Sequence, residues 1–126
     1  MEHQAAQLKI KLQIYCGEEI AMGPGKADLL QAIAAHGSIT AAGKAMGMSY
    51  RRAWLLVDVM NRCWAEPLVA TAPGRAGGSG ARLTPAGKAV LATYLALVAA
   101  AGTLRQGHDW QALSAQLRLA PLEKQG

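Results

Sequence analysis

The run GSITAAGKAMGMSYRRAWLLVDVMNRCW at residues 37–64 constrains this chain more than any other stretch. It places Gly43 inside a segment that otherwise favours helix, and a second glycine, Gly47, just before Ser49. Glycine in a helix interior costs about 1 kcal/mol relative to alanine, so Gly43 predicts a second helix crossing at very close range. Thr40 (or Ser38) is positioned to cap a short helix through Met46, because a hydroxyl accepts from the orphan amides of the first turn. Gly47 sits where the chain must turn sharply into left-handed backbone space, which glycine enters without a Cβ penalty. Ser49 then caps a helix running through Tyr50, Arg51, Arg52 and Trp54 to about Trp64. The apolar residues Ala42, Met46, Met48, Ala53 and Leu56 fall where two steeply crossing helices touch. The reading is helix, tight turn, helix.

The start of the second helix is Ser-Tyr-Arg-Arg. A helix end carrying two arginines, a hydroxyl and a phenol suits entry into a major groove, where bidentate donors read base edges. The blander reading is a helical hairpin with a solvated basic end. The small residue, the turn glycine and the apolar positions agree with one another, which favours double-stranded DNA as the partner.

Length and composition leave room for this. The 126 residues are read as a single domain, 1–126, large enough to bury a core without staples. Phenylalanine is absent and aromatics make up 5%, while alanine and leucine abound, which favours helices over sheets. The formal charge is +5, thirteen Lys/Arg against eight Asp/Glu, which suits a polyanionic partner without requiring one. Cys16 and Cys63 form no CxxC pair and belong to different elements, as expected of reduced thiols in a cytoplasmic protein. His3, His36 and His108 show no metal-ligand spacing with them, and no cofactor is implied. The polar start Glu2, His3, Gln4 does not read as a signal peptide. The longest uncharged run, Ala89 to Leu104, is shorter than the ~18 residues that argue for a membrane span.

Leu8, Ile10, Leu12 and Ile14 alternate with Lys9, Lys11, Gln13 and Tyr15. Period two is the mark of a half-buried strand, and Ile20–Met22 is expected to return as its partner in an N-terminal hairpin over 8–22. The GPGK at 23–26 lacks the spacing of a phosphate-binding loop and reads as a helix start. Lys26 to His36 then forms a helix with Leu29, Leu30 and Ile33 buried and Gly37 ending it. Residues 26–64 are thus a helical core. In its last helix Ala53, Leu56, Val57, Met60 and Trp64 make the buried stripe, and Trp54 straddles core and groove edge. Leu55 and Val59 are apolar on the outer face, without an evident partner.

Residues 68–83 read as two short strands around a loop rich in glycine that carries Arg75, with Arg82 on the return. Such a wing can lie along a phosphate backbone or enter the minor groove. Thr84-Pro85 starts a long helix over 85–106, by hydroxyl cap and proline at the first helical position. Its apolar residues, Val90, Leu91, Tyr94, Leu95 and Val98 among them, surround nearly the whole helix. So small a domain is not expected to cover all of them, which predicts a homodimer through this helix, helped by the Leu8–Tyr15 strand. Gly107 breaks the helix, and Trp110, Leu113, Leu117 and Leu119 suggest a short amphipathic helix in a tail over 108–126.

GSITAAGKAMGMSYRRAW, the MN at 60–61, the GRAGGSGARLT of 74–84 and the helix beginning PAGK resemble the N-terminal DNA-binding domain of molybdate-dependent transcriptional regulators, the ModE family. The likeness covers about Leu8 to Leu104. It implies a LysR-type winged helix-turn-helix that dimerises through flanking helices and binds an inverted repeat in connection with molybdenum genes. Regulators of that family carry C-terminal molybdate-binding domains, which are not seen in this sequence. It therefore reads either as a single-domain relative that binds DNA constitutively or with a partner, the preferred reading, or as a fragment, and no cofactor is implied.

The expectation is therefore a mainly α winged helix-turn-helix with an N-terminal hairpin and a long C-terminal dimerisation helix. It acts as a cytoplasmic, nucleoid-associated homodimer on a pseudo-palindromic operator, with recognition helices ~34 Å apart. Ser49, Tyr50, Arg51 and Arg52 contact bases or adjacent phosphates, Thr40 and Lys44 brace the backbone, and Arg75 and Arg82 act from the wing. The alternative is a winged-helix adaptor that binds proteins rather than DNA. No catalytic constellation appears at a telling spacing, so no enzyme is expected.

Overall fold

The computed structural model describes residues 6–72 and 80–124. Residues 11–96 form one compact unit, and the described parts of 1–10 and 97–126 form a second.

The first unit opens with strands β1 (Ile14–Cys16) and β2 (Glu19–Met22), paired antiparallel with a bulge between Ile14 and Tyr15. The expected strand over 8–15 is shorter than the periodicity predicted. Residues 8–15 do alternate half-buried and exposed, with the lysines outward, but only Ile14 to Cys16 have ladder partners. The physical reason is the length of the return: β2 ends at Met22 and Gly23 already leads into a helix. The carbonyl of Leu12 is instead taken up by a side chain, accepting from the Tyr94 hydroxyl at 2.9 Å.

Helix α1 (Pro24–His36) begins two residues earlier than expected. Pro24 opens its first turn, where its preset φ suits the helix and its missing N–H would have been an orphan anyway. Gly37 ends it at φ 74°, donating back to the Ile33 carbonyl at 2.8 Å. Helix α2 (Ile39–Ala45) and helix α3 (Tyr50–Cys63) follow, separated by Gly47 at φ 70°. Strands β3 (Val69–Thr71) and β4 (Ala81–Leu83) pair antiparallel, Ala70 opposite Arg82. Helix α4 (Pro85–Gly102) is capped by Thr84, whose Oγ1 accepts from the Gly87 amide at 2.9 Å and donates to the Pro67 carbonyl at 2.7 Å.

One core joins these elements. Met22, Leu29, Leu30, Ile33, Met60 and Leu68 are fully buried, each contributing roughly 1.5–3 kcal/mol of transfer free energy relative to an exposed position. The predicted α3 stripe packs as expected: Ala53, Val57 and Met60 are buried, and Leu56 and Trp64 lie half-buried against them. The Trp64 indole donates to the Ala21 carbonyl at 3.0 Å, tying the end of α3 to β2. Cys16 and Cys63, from separate elements, are both free thiols.

Tyr94 was expected on an intermolecular face of α4, and here the structure differs. It is 4% exposed, packed in the chain's own core, with Val90 and Leu91 half-buried beside it. Its ring is long enough to reach the core while its hydroxyl finds Leu12, so one stripe of α4 is satisfied internally. Leu95, Leu97 and Val98 remain exposed. With the 3-10 turn Thr103–Gln106 the helical run Pro85–Gln106 has a mean hydropathy of 1.5 over its best window, enough by length and composition to cross a bilayer. The uncharged run Ala89–Leu104 is only part of this helix, which is why its length alone falls short of a span.

In the second unit, the Arg105 guanidinium donates to the Leu8 carbonyl at 2.8 Å, and helix α5 (His108–Ala115) follows Gly107. The expected tail helix stops before Leu117 and Leu119, and Leu113 is exposed, so no buried stripe forms along it.

Candidate nucleic-acid interface

The geometry between α2 and α3 is set by one missing methyl group. A Cβ built on Gly43 would lie 3.3 Å from the Ala53 Cβ and 3.4 Å from the Met48 carbonyl oxygen. The two helices therefore touch backbone to side chain at Gly43 and Ala53, as the sequence predicted. Ser38, not Thr40, caps α2: its Oγ accepts from the Ala41 amide at 2.9 Å. Thr40 lies in the first turn of that helix and is exposed, which leaves its hydroxyl free for another role. Ser49 caps α3, its Oγ accepting from the Arg52 amide at 3.1 Å.

With its first turn pinned by that cap, α3 presents Tyr50, Arg51, Arg52, Trp54 and Leu55 to solvent. Tyr50 is 54% exposed, Trp54 45% and Leu55 44%. Ser49, Arg51, Arg52, Leu55, Leu56 and Val59 line a shallow open groove along this surface. Among the described residues the only ion pair is Arg62–Asp58 at 3.0 Å, so Lys44, Arg51, Arg52 and Arg82 have no acidic partner there. The Arg62 guanidinium is held above its ordinary pKa by its hydrogen bond to Asp58, and that pair neutralises the one carboxylate on α3. Lys26, by contrast, is half-buried, and desolvation lowers its pKa despite the nearby Glu19.

The sequence-predicted residues fall into three groups. Ser49, Arg51 and Arg52 share the groove, with Tyr50 exposed on the same first turn of α3. Thr40 and Lys44 stand exposed on α2. Arg82 is exposed on β4 and lines a separate depression with Gly37, Ala70 and Gly80. Arg75 lies outside the described residues.

Sequence reasoning missed the role of Asn61. Its Oδ1 accepts from the amides of Leu68 at 2.9 Å and Val69 at 3.1 Å, and its Nδ2 donates to the Val69 carbonyl at 3.1 Å. One amide side chain thereby fixes β3 against the last turn of α3. The available signal was an asparagine in the last turn of an amphipathic helix just ahead of a strand, a side chain able both to donate and to accept.

The arrangement, a close-packed helix pair with an exposed basic second helix followed by a two-stranded hairpin, has known counterparts. Residues 26–88 match the family described as bacterial regulatory helix-turn-helix protein, lysR family. The chain is 46% identical over 83 residues to the molybdenum-pterin-binding protein MopB of Rhodobacter capsulatus, an alignment covering 66% of this chain and 31% of that protein. It is 40% identical over 77 residues to the molybdenum transport protein ModE of Azotobacter vinelandii, covering 61% and 28% respectively. With the DNA-binding transcriptional dual regulator ModE of Escherichia coli K12 it shares 35% over 88 residues, 70% of this chain and 34% of that one. The chain thus spans about a third of the length of the curated relatives it matches. Both the matched segment and the helix pair within it place the chain in the lysR family of bacterial regulatory helix-turn-helix proteins.

Proposed function

We propose that this chain is a sequence-specific DNA-binding transcriptional regulator connected with molybdenum-dependent gene control. The observation that carries the reading is the first turn of α3. Ser49 pins it, and Arg51 and Arg52 stand exposed without acidic partners among the described residues. A regulatory helix-turn-helix match over 26–88 and relatives named for molybdenum support both halves of the proposal.

In this reading Tyr50, Arg51, Arg52 and Ser49 meet base edges and adjacent phosphates. Thr40 and Lys44 hold the backbone from α2, and Arg75 and Arg82 act from the wing. The protein works as a homodimer in the cytoplasm on a pseudo-palindromic operator. Since Val90, Leu91 and Tyr94 pack inward, the exposed Leu95 and Val98, with Leu97, form the part of α4 offered to a second copy. In this reading the chain is not an enzyme, in keeping with a relative named as a DNA-binding transcriptional dual regulator.

The test is a mobility shift on the protein's own upstream DNA and on promoters of molybdenum-transport genes, with salt and unlabelled competitor titrated, with and without molybdate. Competitor-resistant binding to one of these fragments supports the regulator reading. Weak binding lost equally to any competitor favours a winged-helix adaptor instead.

A further inference from the structure

Trp54 and Leu55 are large apolar side chains about half exposed on the outer face of α3, and neither belongs to the core that the described residues form. Their neighbours are informative. On a helix, residues four apart stack along one face, so Leu55 sits one turn beyond Arg51 and Trp54 one turn beyond Tyr50. Leu55 and Arg51 line the same groove, together with Ser49 and Arg52. Asp58, one turn beyond Trp54, is neutralised by Arg62 at 3.0 Å. Leu55 thus follows Arg51, which has no acidic partner among the described residues, and the carboxylate that follows Trp54 is cancelled by Arg62. A surface of this kind suits an anionic partner that has an apolar point in its interior. In a DNA major groove that point is the thymine C5-methyl group, the one apolar group a base edge presents there.

Resting on the DNA-binding reading, we propose that Trp54 and Leu55 are specificity-determining residues that read thymine methyl groups. One helical turn advances about 5.4 Å, against about 3.4 Å per base pair. The thymine therefore lies one to two base pairs from the base contacted by Arg51, and the half-site contains the two as neighbours.

The experiment uses the full chain and a duplex enriched by repeated selection from a random pool. Each thymine of the selected half-site is then replaced in turn by deoxyuridine, which removes only the methyl group. Burying a CH₂-sized group contributes about 0.8 kcal/mol, or roughly fourfold in affinity. The wild-type protein should lose about three- to fivefold at one or two adjacent thymines. The Leu55→Ala and Trp54→Ala variants, checked for an unchanged unfolding transition, should bind the thymine duplex more weakly and be indifferent to uracil at those positions. The Leu55→Met variant should retain most of the methyl sensitivity. Uniform tolerance of uracil by the wild type, or full methyl sensitivity in both alanine variants, overturns the assignment while leaving DNA binding intact. A pool that yields no competitor-resistant duplex overturns the DNA reading itself, and this inference with it. Loss of capture of a protein partner by the same alanine variants, with DNA affinity unmoved, assigns the pair to a protein surface and also overturns it.

Discussion

Asn61 and Val69 are joined by two hydrogen bonds of opposite sense: the Val69 amide donates to Oδ1 at 3.1 Å, and Nδ2 donates to the Val69 carbonyl at 3.1 Å. With the Leu68 amide also on Oδ1 at 2.9 Å, a single side chain couples the last turn of α3 to the first strand of the wing. Leu68 and Val69 are buried, so losing the amide orphans backbone groups that water cannot reach.

Asn61→Ala should therefore cost about 2–4 kcal/mol, more than an ordinary neutral hydrogen bond, since buried groups are left unpaired. Asn61→Asp keeps the acceptor but sets a carboxylate against the Val69 carbonyl, and should also destabilise. Urea unfolding followed by circular dichroism reads this as a lower midpoint at unchanged slope. A midpoint within error of wild type for Asn61→Ala contradicts the coupling.

Two glycines should respond differently to the same change. A Cβ on Gly87 would overlap the Leu68 carbonyl oxygen, which is backbone and cannot move aside, whereas one on Gly43 meets the Ala53 methyl at 3.3 Å. Helix propensity favours alanine by about 1 kcal/mol in a helix interior, as at Gly43, and by less in a first turn, as at Gly87. Gly87→Ala should nevertheless destabilise clearly, by roughly 2 kcal/mol or more, and Gly43→Ala much less. Gly43→Val overpacks the crossing and should cost about 1–3 kcal/mol. Thermal unfolding of the three variants gives the order, and a Gly87→Ala protein as stable as wild type would remove the close approach of α4 to the wing.

Tyr94 makes a pH-dependent contribution with a definite sign. Burial raises its phenol above the ordinary value near 10, with Asp28 adding in the same direction, and only the neutral phenol can donate to Leu12. Its contribution is thus complete below about pH 10 and is lost as pH rises through the higher folded-state value. Tyr94→Phe should cost about 1 kcal/mol at pH 7, and the gap to wild type should narrow in alkaline solution. A gap that widens with pH has the wrong sign for this account.

Cys63 has its thiol pKa raised by burial and then by the adjacent Cys16 thiol, which reduces the reactive thiolate. At pH 8, iodoacetamide should label Cys63 more slowly than it labels an unstructured cysteine peptide, and unfolding in urea should abolish the lag. Labelling of native Cys63 at the peptide's rate would argue against that environment.

The central helix pair was legible because its signals are local and agree. Gly43, Gly47 and Ser49 each have a backbone requirement that fixes the chain around them, and the α3 stripe follows from helical period alone. The wing hairpin was legible from its position and its glycines. What stayed hidden depends on partners distant in sequence. The period of residues 8–15 shows which side is buried but not whether a ladder partner exists, and β2 is too short to supply one beyond Ile14. Tyr94 looks like any other apolar residue of α4 until Leu12 is seen beside it. Asn61 reads as a polar end to a helix, and its bonds to Leu68 and Val69 appear only once β3 folds back. Among the proposed contact residues, exposure of Arg51, Arg52 and Arg82 followed from helix and strand phase, whereas the cap went to Ser38 because Ile39 begins the helix.

The most direct measurement is the salt dependence of binding to the selected duplex for wild type, Arg51→Ala and Arg52→Ala. Each phosphate contact contributes about −0.9 to the slope of log affinity against log salt, while a base-reading arginine contributes about 1–3 kcal/mol and relaxes specificity at its base. The first turn of α3 as the reading head predicts that at least one variant loses about tenfold or more in affinity. That variant should either flatten the slope by about one unit or tolerate a changed base. Affinity, slope and base preference unchanged in both variants would contradict it.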